Sequence, residues 1–434
     1  LIILYKMSLP VSMQYNLGGS QAIPSRTRLA RFDSTNSSYV SESNNKIIIP
    51  ISADGFINTE DAYLYMTITN NSTTQPATLD GNAACVINKV DIAVQGSSGK
   101  VETLDRYSLY HLYDELWNMS SEELNWLNAT SGGCVIQESP LGWSPIGDAL
   151  AAGGGAASWT VKLKCGFLND LYKKALPQGL PQFQLEITLN SAVSAFTHHA
   201  SAAAHSYTVN NVRFYAPVYQ ILDESIMAQY NNQLRSSATS WVGKAVGTII
   251  NSSATGASVQ SFQLNPSYKS LNALVTLNRQ ADKIAAAASD CNTAFNLTGV
   301  TEFKYVLNGM NTPSDGIQFT AATDLARAYI EGAKSHAPHG HAYAKNHGLT
   351  ALRFGAGNAI GAAAGSGCLA VSLKRFTSDP NLIFQGLNTA ASSAPSTLQV
   401  TFDSNNAAAQ DVTTFAYYDC MWTLTPDGMV VATF

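Results

Sequence analysis

KVDIAVQGSSGKVETLDRYSLYHLYDELW, residues 89–117, carries two structural patterns one after the other. KVDIAVQG is an apolar, β-branched run that ends on the turn residues Gln95 and Gly96, so it predicts a strand entering a turn. Beyond Leu104 the period changes. Leu109, Leu112, Tyr113, Leu116 and Trp117 fall at i, i+3, i+4, i+7 and i+8, which is one face of a helix. Ser120 and Glu123 then form a capping box that predicts a second short helix toward Trp126 and Leu127.

Outward from this stretch the texture is that of strands. KIIIPIS from 46, AYLYMTITN from 62, SWTVKLK from 158, QFQLEITL from 182 and YTVNNVRFYAPVY from 207 are short runs bounded by Gly, Asn, Pro and Ser. The second half replays the first. KIIIPIS is answered by VQSFQLN at 259, AYLYMTITN by ALVTLNRQ at 273, and Gln95-Gly96 by Asn308-Gly309, at offsets of 213, 211 and 213. VKLK at 161 matches VSLK at 371, Gln178-Gly179-Leu180 matches Gln385-Gly386-Leu387, and VRFYA at 212 lies against FAYYDCMW at 415. The helix recurs as TDLARAYIEGAK at 323–334. Matches in the same order imply a duplication. The predicted fold class is therefore all-β: two tandem eight-stranded jelly rolls with inserted short helices and long loops. The predicted domains are an irregular N-terminal arm at 1–45, a first jelly roll at 46–221, a linker at 222–257 and a second jelly roll at 258–434. Gly/Ala-rich stretches at 129–158 and 335–367 lack strand periodicity and read as long surface loops.

Composition narrows the function classes. The 434 residues carry 25 Lys and Arg against 30 Asp and Glu, a net charge of −5, which excludes a generic polyanion binder. Charged residues make up 13% of the chain where about 25% is usual, so much of the surface is expected to lie against other subunits. Within residues 1–45, Lys6, Arg26, Arg28 and Arg31 outnumber Asp33 and Glu42. No apolar run approaches the length of a membrane-spanning helix, and the opening LIILYK has no basic residue before its short apolar run, so neither a transmembrane segment nor a secretory signal is expected. Cys85, Cys134, Cys165, Cys291, Cys368 and Cys420 form no CxxC and read as free thiols of a reducing compartment.

The chemistry-bearing candidates each have a plainer reading. His336, His339, His341 and His347 are spaced like ligands for Zn, Cu or Ni, but no Cys, Asp or Glu lies among them, so an exposed polar loop is expected. His198, His199 and His205 read as a surface turn. FGAGNAIGAAAGSG at 354–367 resembles a phosphate loop without its GK[ST]. Glu122-Glu123 and Glu60-Asp61 read as a helix N-terminus and a strand-entry turn rather than a glycosidase pair. Tyr107, Tyr110, Tyr113 and Trp117 at helical spacing read as core packing rather than a sugar platform. No catalytic, cofactor-binding or metal-ligating residue is assigned, and no enzyme activity or cofactor is expected.

KVDIAVQGSSGKVETLDRYSLYHLYDELW, together with FQGLNTAASSAPSTLQVTF at 384–402 and the closing YYDCMWTLTPDGMVV at 417–431, resembles the double jelly-roll major capsid proteins of the adenovirus, tectivirus, virophage and Polinton-like virus lineage. The resemblance covers about residues 46–434 as architecture. It implies a virion protein made in the host cytoplasm or nucleus, which forms pseudo-hexagonal homotrimers that tile an icosahedral shell. It further implies penton and minor capsid proteins as partners, and an inner-face contact of the arm with a membrane or the genome. The alternatives are a carbohydrate-binding or carbohydrate-processing β-sandwich protein, and a minor vertex or spike protein.

Overall fold

The structure is a computed structural model that describes residues 24–97, 99–119, 130–133, 135–139, 142–168, 175–197, 206–253, 255–256, 258–280, 299–318, 325–336, 367–374, 384–391, 394–402 and 409–434. The first half contains β1 (Ser25–Asp33), β2 (Ser38–Val40), β3 (Lys46–Ile51), β4 (Phe56–Ile57), β5 (Tyr63–Asn70), β6 (Ala77–Asp80), β7 (Ile87–Val94) and β8 (Lys100–Asp105). Helix α1 (Tyr107–Asn118) follows, then β9 (Val135–Ser139), β10 (Gly142–Leu150), β11 (Ala156–Val161), β12 (Phe183–Leu189), α2 (Ala192–Ala195), β13 (Phe196–Thr197) and β14 (Tyr207–Ile221). After α3 (Glu224–Ser236), the second half contains β15 (Thr239–Ser253), β16 (Val259–Gln263), β17 (Leu271–Gln280), β18 (Val300–Leu307) and β19 (Met310–Gln318). It ends with α4 (Leu325–His336), β20 (Leu369–Ser372), β21 (Thr397–Phe402), β22 (Gln410–Leu424) and β23 (Val430–Thr433).

Strand order shows the duplication directly. In the first half, β1-β14-β5-β11 faces a second sheet, β3-β12-β7-β8; in the second, β15-β22-β17-β20 faces β16-β21-β18-β19. Numbering the eight principal strands of each half in chain order, both halves read 1-8-3-6 and 2-7-4-5, the antiparallel Greek-key arrangement of a jelly roll. The repeat found in the sequence recurs with a one-residue slip in one strand: Val161 pairs with Leu64 and its counterpart Val371 with Leu274, where the sequence offset of 211 would have placed Val275. Both helices α1 and α4 enter after the fifth principal strand. Asn308 and Gly309, with φ of 52° and 77°, form the tight β18–β19 connection, where two consecutive left-handed residues match the twist of the hairpin.

Period-2 burial builds the first barrel. Ile47, Ile49 and Ile51 of β3, Leu64, Met66 and Ile68 of β5, and Leu185 and Ile187 of β12 point inward and are buried. In the second barrel β16 and β21 alternate likewise, but alternation fails in the sheet β15-β22-β17-β20: every residue from Leu271 to Arg279 of β17 and from Val412 to Tyr417 of β22 is buried, so both faces of that sheet are covered. Buried apolar side chains of the two barrels belong to one continuous cluster.

Three readings from sequence need correction. The arm at 1–45 was expected to lack strands, yet β1 pairs with β14 along its whole length, from Ser25↔Ile221 to Asp33↔Arg213, and β2 pairs with Thr208–Asn210. Because β1 is an edge strand with only Ala30 buried, its sequence, SRTRLARFD, carries charge instead of apolar alternation. The linker at 222–257 contains α3, but its second part is β15, fifteen residues paired with β22. The loop at 129–158 contains β9 and β10, joined through β6 and β13 into a further sheet by backbone pairing that residue type did not signal. The predicted helix near Trp126 lies outside the described residues, as does 337–366 of the second predicted loop.

Removing residues 1–40 therefore deletes the first strand of the jelly roll together with Tyr39, which is fully buried. The expected result is a loss of at least about 3 kcal/mol of stability, the order of burying one such aromatic side chain. It would be read as a lower melting temperature and faster hydrogen exchange in β14.

Candidate functional site

The sequence candidates fall into place unevenly. His336 ends α4, is buried, and stacks on Trp117 with ring centroids 5.0 Å apart and planes at 9°. Its Nδ1–H donates to the Gly332 carbonyl at 2.8 Å, so this ring is a packing element of the helix end. His339, His341, His347, His198, His199, His205, Glu122, Glu123 and the glycine-rich stretch up to residue 366 lie outside the described residues. Asn58 accepts from the Glu60 N–H at 3.1 Å and donates to Asp61 at 3.0 Å, which makes that acidic pair part of a turn. Cys85, Cys165, Cys368 and Cys420 are free and buried, whereas Cys134 and Cys291 lie outside the described residues. Among the described residues no group of three or more His, Cys, Asp or Glu is placed to hold a metal ion.

Tyr110, Tyr113 and Trp117 converge on the seam between the barrels, while the Tyr107 hydroxyl accepts the Lys164 N–H at 2.9 Å inside the first barrel. Helix α1 is fastened to the first barrel by polar contacts: Lys164 Nζ to Asp114 at 2.6 Å, Asn82 Nδ2 to Glu115 at 2.6 Å, and the His111 Nε2–H to the Lys162 carbonyl at 3.1 Å. Its aromatic face meets the second barrel. Tyr110 lies 5.8 Å from Phe415 and 6.1 Å from Tyr417, Tyr113 lies 5.4 Å from His336, and Trp117 lies 5.4 Å from Tyr329. Gly332 of α4 permits this approach, because a Cβ there would stand 2.9 Å from the Trp117 ring. Burial pushes the phenols of Tyr107, Tyr110, Tyr113 and Tyr417 well above their ordinary range, so they stay neutral.

A second aromatic knot closes the other end of the seam. Phe167 of the first barrel packs edge-on against Trp241 at 5.4 Å and Trp422 at 5.8 Å. The two indole N–H groups donate at 3.4 Å to first-barrel carbonyls, Trp241 to Phe167 and Trp422 to Val101. Gly166 beside it must be glycine, since a Cβ would come within 2.7 Å of the Lys244 carbonyl oxygen and 2.9 Å of the Ala245 Cα. The buried Glu102 carboxylate accepts the Gly166 and Phe167 N–H groups at 2.8 and 2.7 Å. Burial pushes this carboxyl up to about 7, with the two N–H donors opposing the rise.

Ionic contacts fix the register of the two barrels. Arg106 reaches Asp411 of β22 with both terminal nitrogens, at 3.0 and 3.3 Å, and Arg279 shares the same carboxylate. The Arg106 backbone is left-handed, with φ of 56°, a conformation a non-glycine residue keeps when its surroundings fix it. Thr248 of β15 donates to the Asp105 carbonyl at 2.9 Å. Of this seam, sequence reasoning found the α1 aromatics and missed Phe167, Trp241, Glu102 and Arg106. Trp241 fell in the supposed linker, and the others show no periodicity.

Two measurements test the seam. Phe167→Ala or Trp422→Ala should each cost about 3–5 kcal/mol, measured by denaturant unfolding, since each removes a buried aromatic from a packed knot. For Glu102 the folded value lies above the ordinary value of 4.5. Below 4.5 both folded and unfolded chains hold the proton and nothing is lost; between 4.5 and about 7 the unfolded chain alone releases it, so stability falls as pH rises. The expected loss is about 3 kcal/mol across that window. In Glu102→Ala the corresponding slope should disappear.

No protein-family model matches the sequence, and no curated protein matches it significantly. Solved structures do match. PBCV-1 VP54, fitted into a reconstruction of the virophage Sputnik, superposes with a TM-score of 0.61 at 12% identity, over 95% of this chain and 98% of that one. The Faustovirus major capsid protein gives 0.61 at 9% identity, over 94% and 92%. The mavirus major capsid protein gives 0.56 at 12% identity, over 100% and 95%. Matching strand order in both halves, the helix at the same place in each, and near-complete coverage of both chains establish that this protein has the double jelly-roll fold shared by these major capsid proteins.

Proposed function

We propose that the protein is a viral major capsid protein whose chain forms pseudo-hexagonal homotrimers that tile an icosahedral shell. The observation that carries this reading is the seam. It locks two barrels of identical strand order into one block, so three copies around a threefold axis would present six similar barrels. Two barrels per chain turn threefold symmetry into near-sixfold packing, which a flat shell lattice uses. The charge-poor composition supports the same reading, because broad contacts between copies need few desolvated charges. In this role the protein is structural and not an enzyme. Its place is the virion, after synthesis in the host cytoplasm or nucleus.

The proposed units are 46–221 and 258–434, each completed at its N-terminal side by its edge strand, β1 or β15. Penton and minor capsid proteins are the further partners this role entails. An inner-face contact of the arm with membrane or genome would rest on Lys6 and Arg26, because Arg28 pairs with Asp54 at 2.6 Å and Arg31 with Asp33 at 2.7 Å.

The full chain should be a trimer by light scattering after size exclusion at micromolar concentration, and should assemble into particles visible by electron microscopy. A stable monodisperse monomer would overturn the proposal.

A further inference from the structure

The seam joins strands that hold different places in the repeat. From the first barrel it takes β8, the fifth principal strand, and from the second it takes β15, the first principal strand. Thr248 of β15 donates to the Asp105 carbonyl of β8 at 2.9 Å, and the Gly166 backbone lies so near β15 that a Cβ would stand 2.7 Å from the Lys244 carbonyl oxygen. A contact between two different places of a repeated unit is heterologous, so each end of the chain keeps one half of it unused. The unused halves are β1, the first principal strand of the first barrel, and β19, the fifth of the second.

Ladder pairing fixes which residues correspond. Val161, Leu64, Phe214 and Phe32 are successive partners across one sheet of the first barrel, as Val371, Leu274, Ala416 and Gly247 are in the second. Phe32 therefore matches Gly247, Asp33 matches Thr248 and Leu29 matches Lys244. In the opposite sheets Ile49, Leu185 and Ile92 match Phe262, Leu398 and Tyr305. Three residues earlier in β7 and β18, Lys89 pairs with Asp105 and Glu302 with Gln318. The counterpart of the Thr248–Asp105 contact is thus Asp33 with Gln318, a carboxylate that accepts and a side-chain amide that donates.

Both unused strands are open. In β1 only Ala30 is buried, and in β19 only Gly316 and Ile317, whereas β8 at the seam buries Val101, Glu102 and Leu104. Each carries an exposed apolar side chain, Leu29 at 56% and Met310 at 66%. Their charges differ in sign: β1 holds Arg26, Arg28 and Arg31 against Asp33, while β19 holds Asp315 and neither Lys nor Arg.

We propose, resting on the trimeric reading above, that β1 of one copy docks along β19 of the next, with Asp33 beside Gln318. The contact between copies then repeats the contact within the chain. Contacts of the two kinds alternate around the ring, which closes after three chains.

The test places a cysteine pair, Asp33→Cys with Gln318→Cys, in the full-length chain and treats it with a short bismaleimide. Denaturing gels should show covalent dimers and trimers beyond those of the unsubstituted chain, and mass spectrometry a peptide joining positions 33 and 318; neither single variant should give that peptide. Leu29→Glu and Met310→Glu provide an independent reading, because both positions are exposed and the fold tolerates charge there. Each should weaken the trimer about tenfold or more, read by light scattering on dilution, whereas Val259→Glu, on the exposed face of β16, should leave it unchanged. A trimer that lacks the 33–318 link and ignores Leu29→Glu and Met310→Glu would overturn this contact while leaving the trimeric reading intact. A monomeric unsubstituted chain would overturn both.

Discussion

Covering one sheet on both faces is the constraint on which the rest of the structure depends. On one face of β15-β22-β17-β20, Thr276 and Thr414 meet at 2.7 Å and Thr276 meets the Tyr305 hydroxyl at 2.9 Å, inside the second barrel. On the other, Phe415 and Tyr417 meet Tyr110. A sandwich requires only one buried face per sheet, so a second demands an apolar cover of matching area. Helices α1 and α4 supply it, one from each copy. Their aromatic and small residues interlock at Trp117, His336 and Gly332, and the two barrels become one block.

Such a cover removes polar groups from water, and each needs an internal partner. Asp411 serves Arg106 from the first barrel and Arg279, whose side chain is only 2% exposed, from the second. Removing one member of a buried pair typically costs about 3–5 kcal/mol, more than the net worth of the pair, so contacts of this kind act mainly against misdocking. The left-handed Arg106 fits that role, because its φ and its forked contact with Asp411 fix where α1 begins. Glu102 does similar work at the other end by holding the Gly166–Phe167 backbone against β15.

The fold was legible where burial is one-sided or repeated. KIIIPIS and AYLYMTITN alternate because one face of each strand meets the core, and the offsets near 210 between halves placed five equivalent strands and the helix correctly. Edge strand β1 was illegible because it buries only Ala30, and β15 because Gly243 and Gly247 interrupt its apolar run; both gain their structure from partners, β14 and β22, more than 150 residues away. The seam was half legible. A helix carries its period in four residues, so Tyr110, Tyr113 and Trp117 declared a buried face. Phe167, Trp241 and Trp422 lie on three separate segments and meet only through the duplicated topology, which no local pattern records.

Identical topology has not produced identical surfaces. The sheet β1-β14-β5-β11 is the first-barrel equivalent of the covered sheet, yet β5 alternates buried with half-buried residues along its whole length, while β17 is buried throughout. On that half-buried face Tyr63 stacks on Tyr215 at 5.2 Å, Tyr65 meets Tyr215 edge-on, and Thr67 bonds Ser158 at 2.8 Å. Aromatic and hydroxyl side chains there cover the backbone without charge, a texture that tolerates water and also contact. Each copy of the duplicated unit thus presents the same sheet to a different environment, the second to helices and the first to the outside. A chain built this way has a direction: one equivalent face is spent on internal docking and the other remains on the outside. That asymmetry lets a duplicated chain combine a rigid internal seam with a second equivalent sheet that no helix of the described residues covers.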